Sequence, residues 1–245
     1  MYKKRTISLI IPCRNEEDAL KSVLSQLPKL VDEVIVVDNL STDQTVKVAR
    51  SFNAKVLTET RNENGIGYGY AIANGINQST GDIIACLDGD GSYPVAEIPN
   101  ILKHLIKNKL DFISCSRSSI KDKKSRSLIR KSGVNILNFF IWILYGYKIK
   151  DSLSGMWIFK KNLVDDLNLF EGGWNFSEEI KLSAISSSKI KFAEYAISYH
   201  DRIFNQSKLN IFQAGFNYFL FLFEYKYNQF KWALKFSPKV SLLEN

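Results

Sequence analysis

The sequence predicts an α/β fold: a mostly parallel sheet flanked by helices, followed by an amphipathic helical extension. Three observations predict it. Short β-branched runs alternate with helical segments through the first half, the signature of repeated strand–helix–strand units. These runs are apolar on both faces, as strands covered by helices on both sides must be. No Pro- or Gly-rich linker and no internal repeat divides the 245 residues, a length that suits one large domain or two small ones at about 100–200 residues each.

The elements follow in order. Ile7-Ser8-Leu9-Ile10-Ile11 reads as a strand ending at Pro12, and Asn15-Glu16-Glu17-Asp18 opens a helix to about Gln26 with acids in its first turn, where the helix dipole favours them. Glu33–Asp38 is the second strand, and Ser41-Thr42-Asp43 caps a helix to about Ser51. Ala54–Leu57 forms a third strand, Gly67–Asn77 a helix, Asp82–Leu87 a fourth strand, Val95–Lys107 a helix and Asp111–Cys115 a fifth strand. The organisation expected is a catalytic region over 1–210, its halves 1–117 and 118–210, and an apolar, basic helical extension over 211–245.

Ligands of open parallel sheets sit outside the carboxyl ends of the strands, so the polar residues just past each strand are the site candidates. They are Pro12-Cys13-Arg14-Asn15-Glu16, Asp38-Asn39, Asp88-Gly89-Asp90 and Ser116-Arg117. In extended chain Asp88 and Asp90 point the same way, and Gly89 lets the backbone bend close to a ligand. Two hard oxygen donors so placed suit Mg²⁺ or Mn²⁺ bridging substrate phosphates. Gly65-Ile66-Gly67-Tyr68-Gly69 follows the third strand, not the first. It is read as a flexible loop leading into a helix rather than a dinucleotide fingerprint, one whose backbone amides could still approach a diphosphate.

These residues carry a family resemblance. Ile11-Pro12-Cys13-Arg14-Asn15-Glu16-Glu17, Val37-Asp38-Asn39-Leu40-Ser41-Thr42-Asp43-Gln44-Thr45, Asp88-Gly89-Asp90, Cys115-Ser116-Arg117, Asp151-Ser152-Leu153-Ser154-Gly155-Met156, Phe176-Ser177-Glu178-Glu179-Ile180 and Arg202 with Ser207-Lys208-Leu209 stand in the order of a known series. The series resembles the family 2 inverting glycosyltransferases of the Rossmann-like GT-A fold, in particular the polyprenyl-phosphate branch that contains dolichol-phosphate mannose synthase. The resemblance implies a metal-dependent enzyme moving a mannose- or glucose-type sugar from a GDP- or UDP-linked nucleotide diphospho-sugar to a polyprenyl or dolichyl phosphate. Carried over by position, it implies that Pro12, Arg14, Glu16 and Asp38 line the nucleotide, with Asp88 and Asp90 holding Mg²⁺ or Mn²⁺ on the diphosphate. It implies that Arg117, Arg130, Arg202 and Lys208 meet the acceptor phosphate or the donor diphosphate. Asp90, Arg117 and Glu179 are the catalytic candidates, and Glu179 either positions sugar or acceptor or pairs with a nearby Arg. A saccharide hydroxyl is the alternative acceptor, with Glu179 then the candidate base. Gly91-Ser92-Tyr93 stands where mannose synthases continue Leu-Gln, which leaves the sugar open.

The charge pattern fits an anionic lipid. Lys+Arg exceed Asp+Glu by 33 to 25, and six basic residues against one acidic between Lys121 and Lys131 give +5 of the net +8. The aromatic run Phe139–Tyr145 follows directly, and Tyr218–Phe223 precedes Lys226, Lys231 and Lys235. Neither run reaches the roughly 18 apolar residues of a membrane span, and no signal peptide precedes the first strand. Basic residues beside aromatics suit an anionic membrane surface. The expectation is a peripheral protein on the cytoplasmic face of a membrane, with a small membrane anchor subunit as a possible partner. A nucleic-acid partner is not expected, because the basic block lacks interleaved stacking residues. Three cysteines without CxxC spacing and two histidines exclude a disulfide framework and a zinc site.

Overall fold

The computed structural model describes residues 4–63, 67–117, 128–200 and 211–234. Seven strands, β1 (Ile7–Cys13), β2 (Glu33–Asp38), β3 (Lys55–Thr58), β4 (Ile83–Cys86), β5 (Phe112–Ser116), β6 (Trp157–Lys160) and β7 (Phe192–Ala196), form one sheet in the order β3-β2-β1-β4-β6-β5-β7. Seven helices accompany it: α1 (Glu17–Ser25), α2 (Thr45–Ser51), α3 (Tyr68–Asn77), α4 (Ile98–Lys107), α5 (Leu128–Tyr145), α6 (Phe176–Ser186) and α7 (Ile211–Leu234). The expected β2 is found to the residue. β1 runs through Pro12 to Cys13, and a 3₁₀ turn at Val95–Glu97 precedes α4. Pro12 sits at the sixth of seven strand positions and pairs in register with Val37.

Six strands run parallel; only β6 is reversed, pairing antiparallel with β4 and with β5. Both sheet faces are covered, as the doubly apolar strands demand. On one face Leu20, Val23 and Leu24 of α1, Ala49 of α2 and Ile98, Ile101, Leu102 and Leu105 of α4 pack on Ile7, Leu9 and Ile11. On the other, Ala71, Ile72 and Ile76 of α3 and Phe176, Ile180 and Ala184 of α6 pack on Ile10, Ile35 and Val37. Each Leu, Ile, Val or Phe among these contributes about 1.5–3 kcal/mol by leaving water, which fixes the strand ends as a rigid platform.

A third cluster lies outside α6. Leu137 and Ile141 of α5 meet Tyr218, Phe221, Leu222 and Tyr225 of α7 over Leu182 of α6. The opposite faces of this helix pair are apolar and exposed: Ile136, Phe139, Trp142 and Ile143 on α5, and Phe216, Leu220, Phe223, Tyr227 and Phe230 on α7. Lysines flank this face, with Lys148 over the Trp142 ring and Lys231 over the Tyr227 ring. Among the described residues no helix is long and apolar enough to cross a membrane. Most of the basic block, Lys121 to Arg126, falls outside the described residues.

Candidate active site

The first two strand ends are locked together by the motif residues themselves. β1 and β2 pair Cys13 with Asp38, so the turns that follow them lie side by side. Asn15 Oδ1 accepts the Thr42 N–H at 2.7 Å, and the Asn15 N–H donates to Ser41 Oγ at 2.9 Å. The Glu16 N–H donates to Thr45 Oγ1, the Glu17 N–H to Asp43 Oδ2, and the Gln44 N–H to Glu17 Oε2. Asn15 and Leu40 hold φ of +56° and +59°, a left-handed backbone costly for leucine. The cost persists because the cross-links over-determine the turn. Their product is a fixed edge where Glu16 and Asp38 are 8% and 4% exposed, Pro12 is buried and Arg14 is exposed. The Asp38 carboxylate accepts the Ser41 N–H. Asn39 is structural: its amide donates to the Glu59 carbonyl at 2.9 Å.

Asp88-Gly89-Asp90 follows β4 at the point where the strand order reverses, between β1 and β4, which is where doubly wound sheets open a crevice. A Cβ on Gly89 would lie 2.4 Å from Cys13 Sγ; only glycine lets the two strand ends meet so closely. Asp90 is buried, and its Oδ1 accepts the Ser92 N–H at 2.9 Å and the Ser92 hydroxyl at 2.5 Å. Asp88 Oδ1 accepts the Tyr68 hydroxyl at 2.8 Å. A Cβ on Gly155 would lie 2.7 Å from Asp88 Oδ2, so the carboxylate rests against bare backbone.

β6 brings the acceptor-half motif to this place. Trp157 is in register with Cys86 of β4 on one side and with Ser114 of β5 on the other. The chain entering β6, Asp151 to Met156, therefore runs between the chain leaving β4 toward Asp88 and the chain leaving β5 toward Arg117. Asp151 takes Arg117 in a two-point ion pair, Nε and Nη2 each at 2.7 Å, and accepts the Arg117 N–H at 2.9 Å. The guanidinium also lies 5.4 Å from the Tyr199 ring centroid. Burial alone would lower its pKa, but the Asp151 charge and hydrogen bonds hold it well above the ordinary value. The Gly155 N–H donates to the Tyr93 hydroxyl at 2.6 Å.

Lys181 of α6 holds the same segment from below. Its buried Nζ donates to the carbonyls of Ser152 at 2.5 Å and Ser154 at 2.8 Å, and burial pushes its pKa down to about 7. Glu179 is fully buried, and its carboxylate accepts the N–H groups of Phe170 and Glu171, each at 3.0 Å. Burial pushes its pKa well up, those two N–H groups offsetting part of the rise. Among the described residues the partners of Glu179 are thus backbone amides of the 170–171 loop rather than an arginine.

The structure brings Pro12, Glu16, Asp38, Asp88, Asp90 and Arg117 to one edge of the sheet. Arg130 lies on α5 with its side chain outside the described residues, as are Arg202 and Lys208 entirely. Sequence reasoning missed Tyr68, Tyr93, Asp151 and Lys181 as site residues. Asp151 was legible, standing in a quoted motif; Lys181 was not, since a lysine in a helix reads as a solvated one. The glycine-rich run leads into a helix as expected, its Gly65 and Ile66 lying outside the described residues. α3 begins at Tyr68, and the N–H groups of Gly69 and Tyr70 donate to the Gly172 carbonyl at 2.8 and 3.2 Å. Those two amides are spent within the protein.

The donor set fits a hard divalent cation. Asp88 and Asp90 would supply carboxylate oxygens, and among the described residues no group of three or more metal-ligating side chains converges. Waters and substrate phosphate oxygens would complete the shell, the pattern expected for Mg²⁺ or Mn²⁺.

A reversed strand within a parallel sheet, with paired carboxylates at the switch point, defines a GT-A type fold. A family model for glycosyl transferase family 2 matches residues 8–167, and the chain belongs to that family. Among its relatives is a low-salt glycan biosynthesis hexosyltransferase, Agl6, of Haloferax volcanii, 28% identical over 226 residues that cover 89% of this chain and 53% of that protein. The chain therefore spans about half the length of that relative. A dolichyl-phosphate hexose transferase of the same organism is 26% identical, covering 87% of this chain and 91% of that one. The structure is similar to glucosyl-3-phosphoglycerate synthase of Mycobacterium tuberculosis in complex with Mn²⁺, UDP and glucosyl-3-phosphoglycerate, with TM-score 0.64, 21% identity, and coverage of 86% of this chain and 76% of that one. That likeness is one of fold.

Proposed function

We propose that this protein transfers a hexose from a GDP- or UDP-linked nucleotide diphospho-sugar to a polyprenyl or dolichyl phosphate, with inversion, at the cytoplasmic surface of a membrane. The observation that carries the reading is the Arg117–Asp151 pair on the strand approach whose Gly155 abuts Asp88, an arrangement that follows the shared register of β4, β6 and β5. Two relatives bear names of the same chemistry, the dolichyl-phosphate hexose transferase and a dodecaprenyl-phosphate galacturonate synthase of Rhizobium johnstonii, 26% identical over 84% of this chain and 62% of that one.

The division of labour follows from the donors. Glu16, Asp38, Pro12 and Arg14 hold the nucleoside at the β1–β2 edge. Asp88 and Asp90 hold Mg²⁺ or Mn²⁺, which when bound supplies positive charge at the diphosphate leaving group. Asp151 takes two of the five N–H donors of Arg117 and fixes the plane of its fork, so the remaining edge meets a phosphate oxygen with little loss of side-chain entropy. Arg130, Arg202 and Lys208 join it on the acceptor or donor phosphates. A phosphate acceptor is ionised at pH 7 and attacks without a dedicated base. That agrees with Glu179, whose carboxylate is occupied by two backbone amides, and it favours lipid phosphate over a saccharide hydroxyl. The exposed apolar face of α5 and α7 with its flanking lysines suits the bilayer surface in which the acceptor resides; a small anchor subunit would use the same face.

The test is incubation with labelled nucleotide sugars, Mg²⁺ or Mn²⁺, and polyprenyl phosphate. An organic-extractable, acid-labile sugar is expected, with loss in Asp88→Ala and a rise in acceptor KM in Arg117→Lys. Absence of such a product with every GDP- and UDP-sugar, while a soluble saccharide is glycosylated, would overturn the lipid-phosphate reading.

A further inference from the structure

Tyr68 makes a contact that the reaction as proposed leaves unused. Its hydroxyl donates to Asp88 Oδ1 at 2.8 Å, and Ser177 Oγ lies 3.5 Å from the same phenol oxygen. The ring packs on Trp174, with centroids 5.0 Å apart and planes at 31°. Both rings are partly buried, so the phenol is held from one side by an indole and from its tip by α6 and Asp88.

The support behind the ring is rigid for reasons visible in the backbone. The first turn of α3 is pinned to the Gly172 carbonyl by the Gly69 and Tyr70 N–H groups. A Cβ on Gly69 would lie 2.1 Å from the Glu171 carbonyl oxygen, and one on Gly172 would lie 2.1 Å from the Tyr70 ring. Helix and loop therefore touch backbone to backbone, and neither glycine tolerates a side chain. The loop is latched in turn to α6 through the two N–H bonds to Glu179. A continuous chain of contacts thus runs from Glu179 through the 170–174 loop to Trp174, Tyr68 and Asp88.

We infer that Tyr68 is a positioning residue for Asp88: its hydroxyl, held by the Trp174 loop, fixes the rotation of the carboxylate that receives the divalent cation. The inference rests on the reading of Asp88 as a metal ligand. A carboxylate with one oxygen tied to a fixed donor presents the other along a single direction, so the ligand needs no reordering when the cation arrives. Groups that orient metal ligands in this way typically change affinity or activity by about 10- to 100-fold when removed.

The experiment compares wild type with Tyr68→Phe, which deletes the hydroxyl and keeps the ring on Trp174. Free Mn²⁺ is followed by electron paramagnetic resonance during titration in the presence of UDP or GDP. The expected result is a Mn²⁺ dissociation constant weakened by about 10-fold or more, a fall in turnover partly recovered at saturating Mn²⁺, and unchanged nucleotide binding in EDTA. A merely structural role would not single out the metal. Unchanged Mn²⁺ affinity in folded Tyr68→Phe overturns the inference. Should that variant fail to fold, Trp174→Leu decides: weaker Mn²⁺ binding supports the proposal and unchanged binding overturns it. Asp88→Asn separates the two levels. If it binds Mn²⁺ as wild type does, the reading of Asp88 as a ligand falls with the inference; if it binds weakly and Tyr68→Phe normally, the inference falls alone.

Discussion

Gly155→Ala is the substitution whose consequence the geometry defines best. The added Cβ would sit 2.7 Å from Asp88 Oδ2, 2.9 Å from Oδ1 and 3.0 Å from Cγ. An ordinary contact begins near 3.4 Å, so the carboxylate must retreat by about 0.7 Å, a shift that a side chain makes more cheaply than backbone. The Gly155 N–H stays on Tyr93 and the segment stays on Lys181, so the fold is expected to survive. The retreat spoils the 2.8 Å bond from Tyr68 and moves an oxygen of the pair proposed to hold the metal. A misplacement near 1 Å at a reacting centre costs about 10²-fold in rate, or about 2.7 kcal/mol of barrier.

The assay is steady-state transfer to polyprenyl phosphate at several Mn²⁺ concentrations, with thermal unfolding in parallel. The expected result is a kcat lowered by about 10²-fold in a protein that melts near wild type. Gly155→Ser should behave alike, since its first side-chain atom is the same. A folded Gly155→Ala with wild-type turnover would refute the reasoning, because it would mean that the Asp88 carboxylate can move without consequence to the chemistry.

Two further outcomes follow from the helices. Replacing the exposed Phe139, Trp142 and Ile143 of α5 by Ser should release the protein from anionic vesicles in a sedimentation assay while leaving its melting temperature unchanged; undiminished binding would remove α5 from the membrane face. Glu178 is fully buried, both its carboxyl oxygens lack a hydrogen-bond partner among the described residues, and burial pushes its pKa well up, Lys181 offsetting part of the rise. A raised carboxyl pKa means that the folded state keeps a proton the unfolded chain releases, so this group's share of stability is intact below the ordinary glutamate value and is lost as pH rises above it. Glu178→Gln should therefore gain stability over wild type by up to about 1.4 kcal/mol per pH unit between about pH 5 and 7, read by urea unfolding; a difference independent of pH would refute the assignment of a neutral carboxyl.

Much of this site was legible because its residues are committed by local chemistry. The carboxylates at the ends of β1, β2 and β4 stand out because charge past an apolar run has few structural uses, and the Asn15, Ser41, Asp43 and Thr45 motif positions proved to be the cross-links of two turns. The strand–helix alternation that predicts β1 to β5 depends on contacts close in sequence, and there the strand boundaries held to within two residues, while α4 begins three residues later than expected, after its 3₁₀ turn. What was illegible depends on distant contacts. Trp157–Lys160 and Phe192–Ala196 are as long as β3 to β5 but stand outside the regular strand–helix alternation of the first half, and nothing local announces that the first is reversed.

That reversed strand is nevertheless what assembles the site. Had β5 paired directly with β4, as successive strand–helix–strand units would dictate, Arg117 would lie one strand from Asp88 with no room between them. Inserting β6 in the opposite direction widens the gap by one strand and fills its end with the chain that enters β6 rather than one that leaves it. The segment delivered there must then satisfy two neighbours at once. It meets Arg117 with a carboxylate, Asp151, and Asp88 with a residue that has no side chain, Gly155. The spacing of the two along one strand approach, read together with the register of Trp157 against Cys86 and Ser114, explains why an acid and a glycine four residues apart occur in that motif. The glycine leaves room for a carboxylate that must stay where it is, and the acid fixes a cation that must face the same opening.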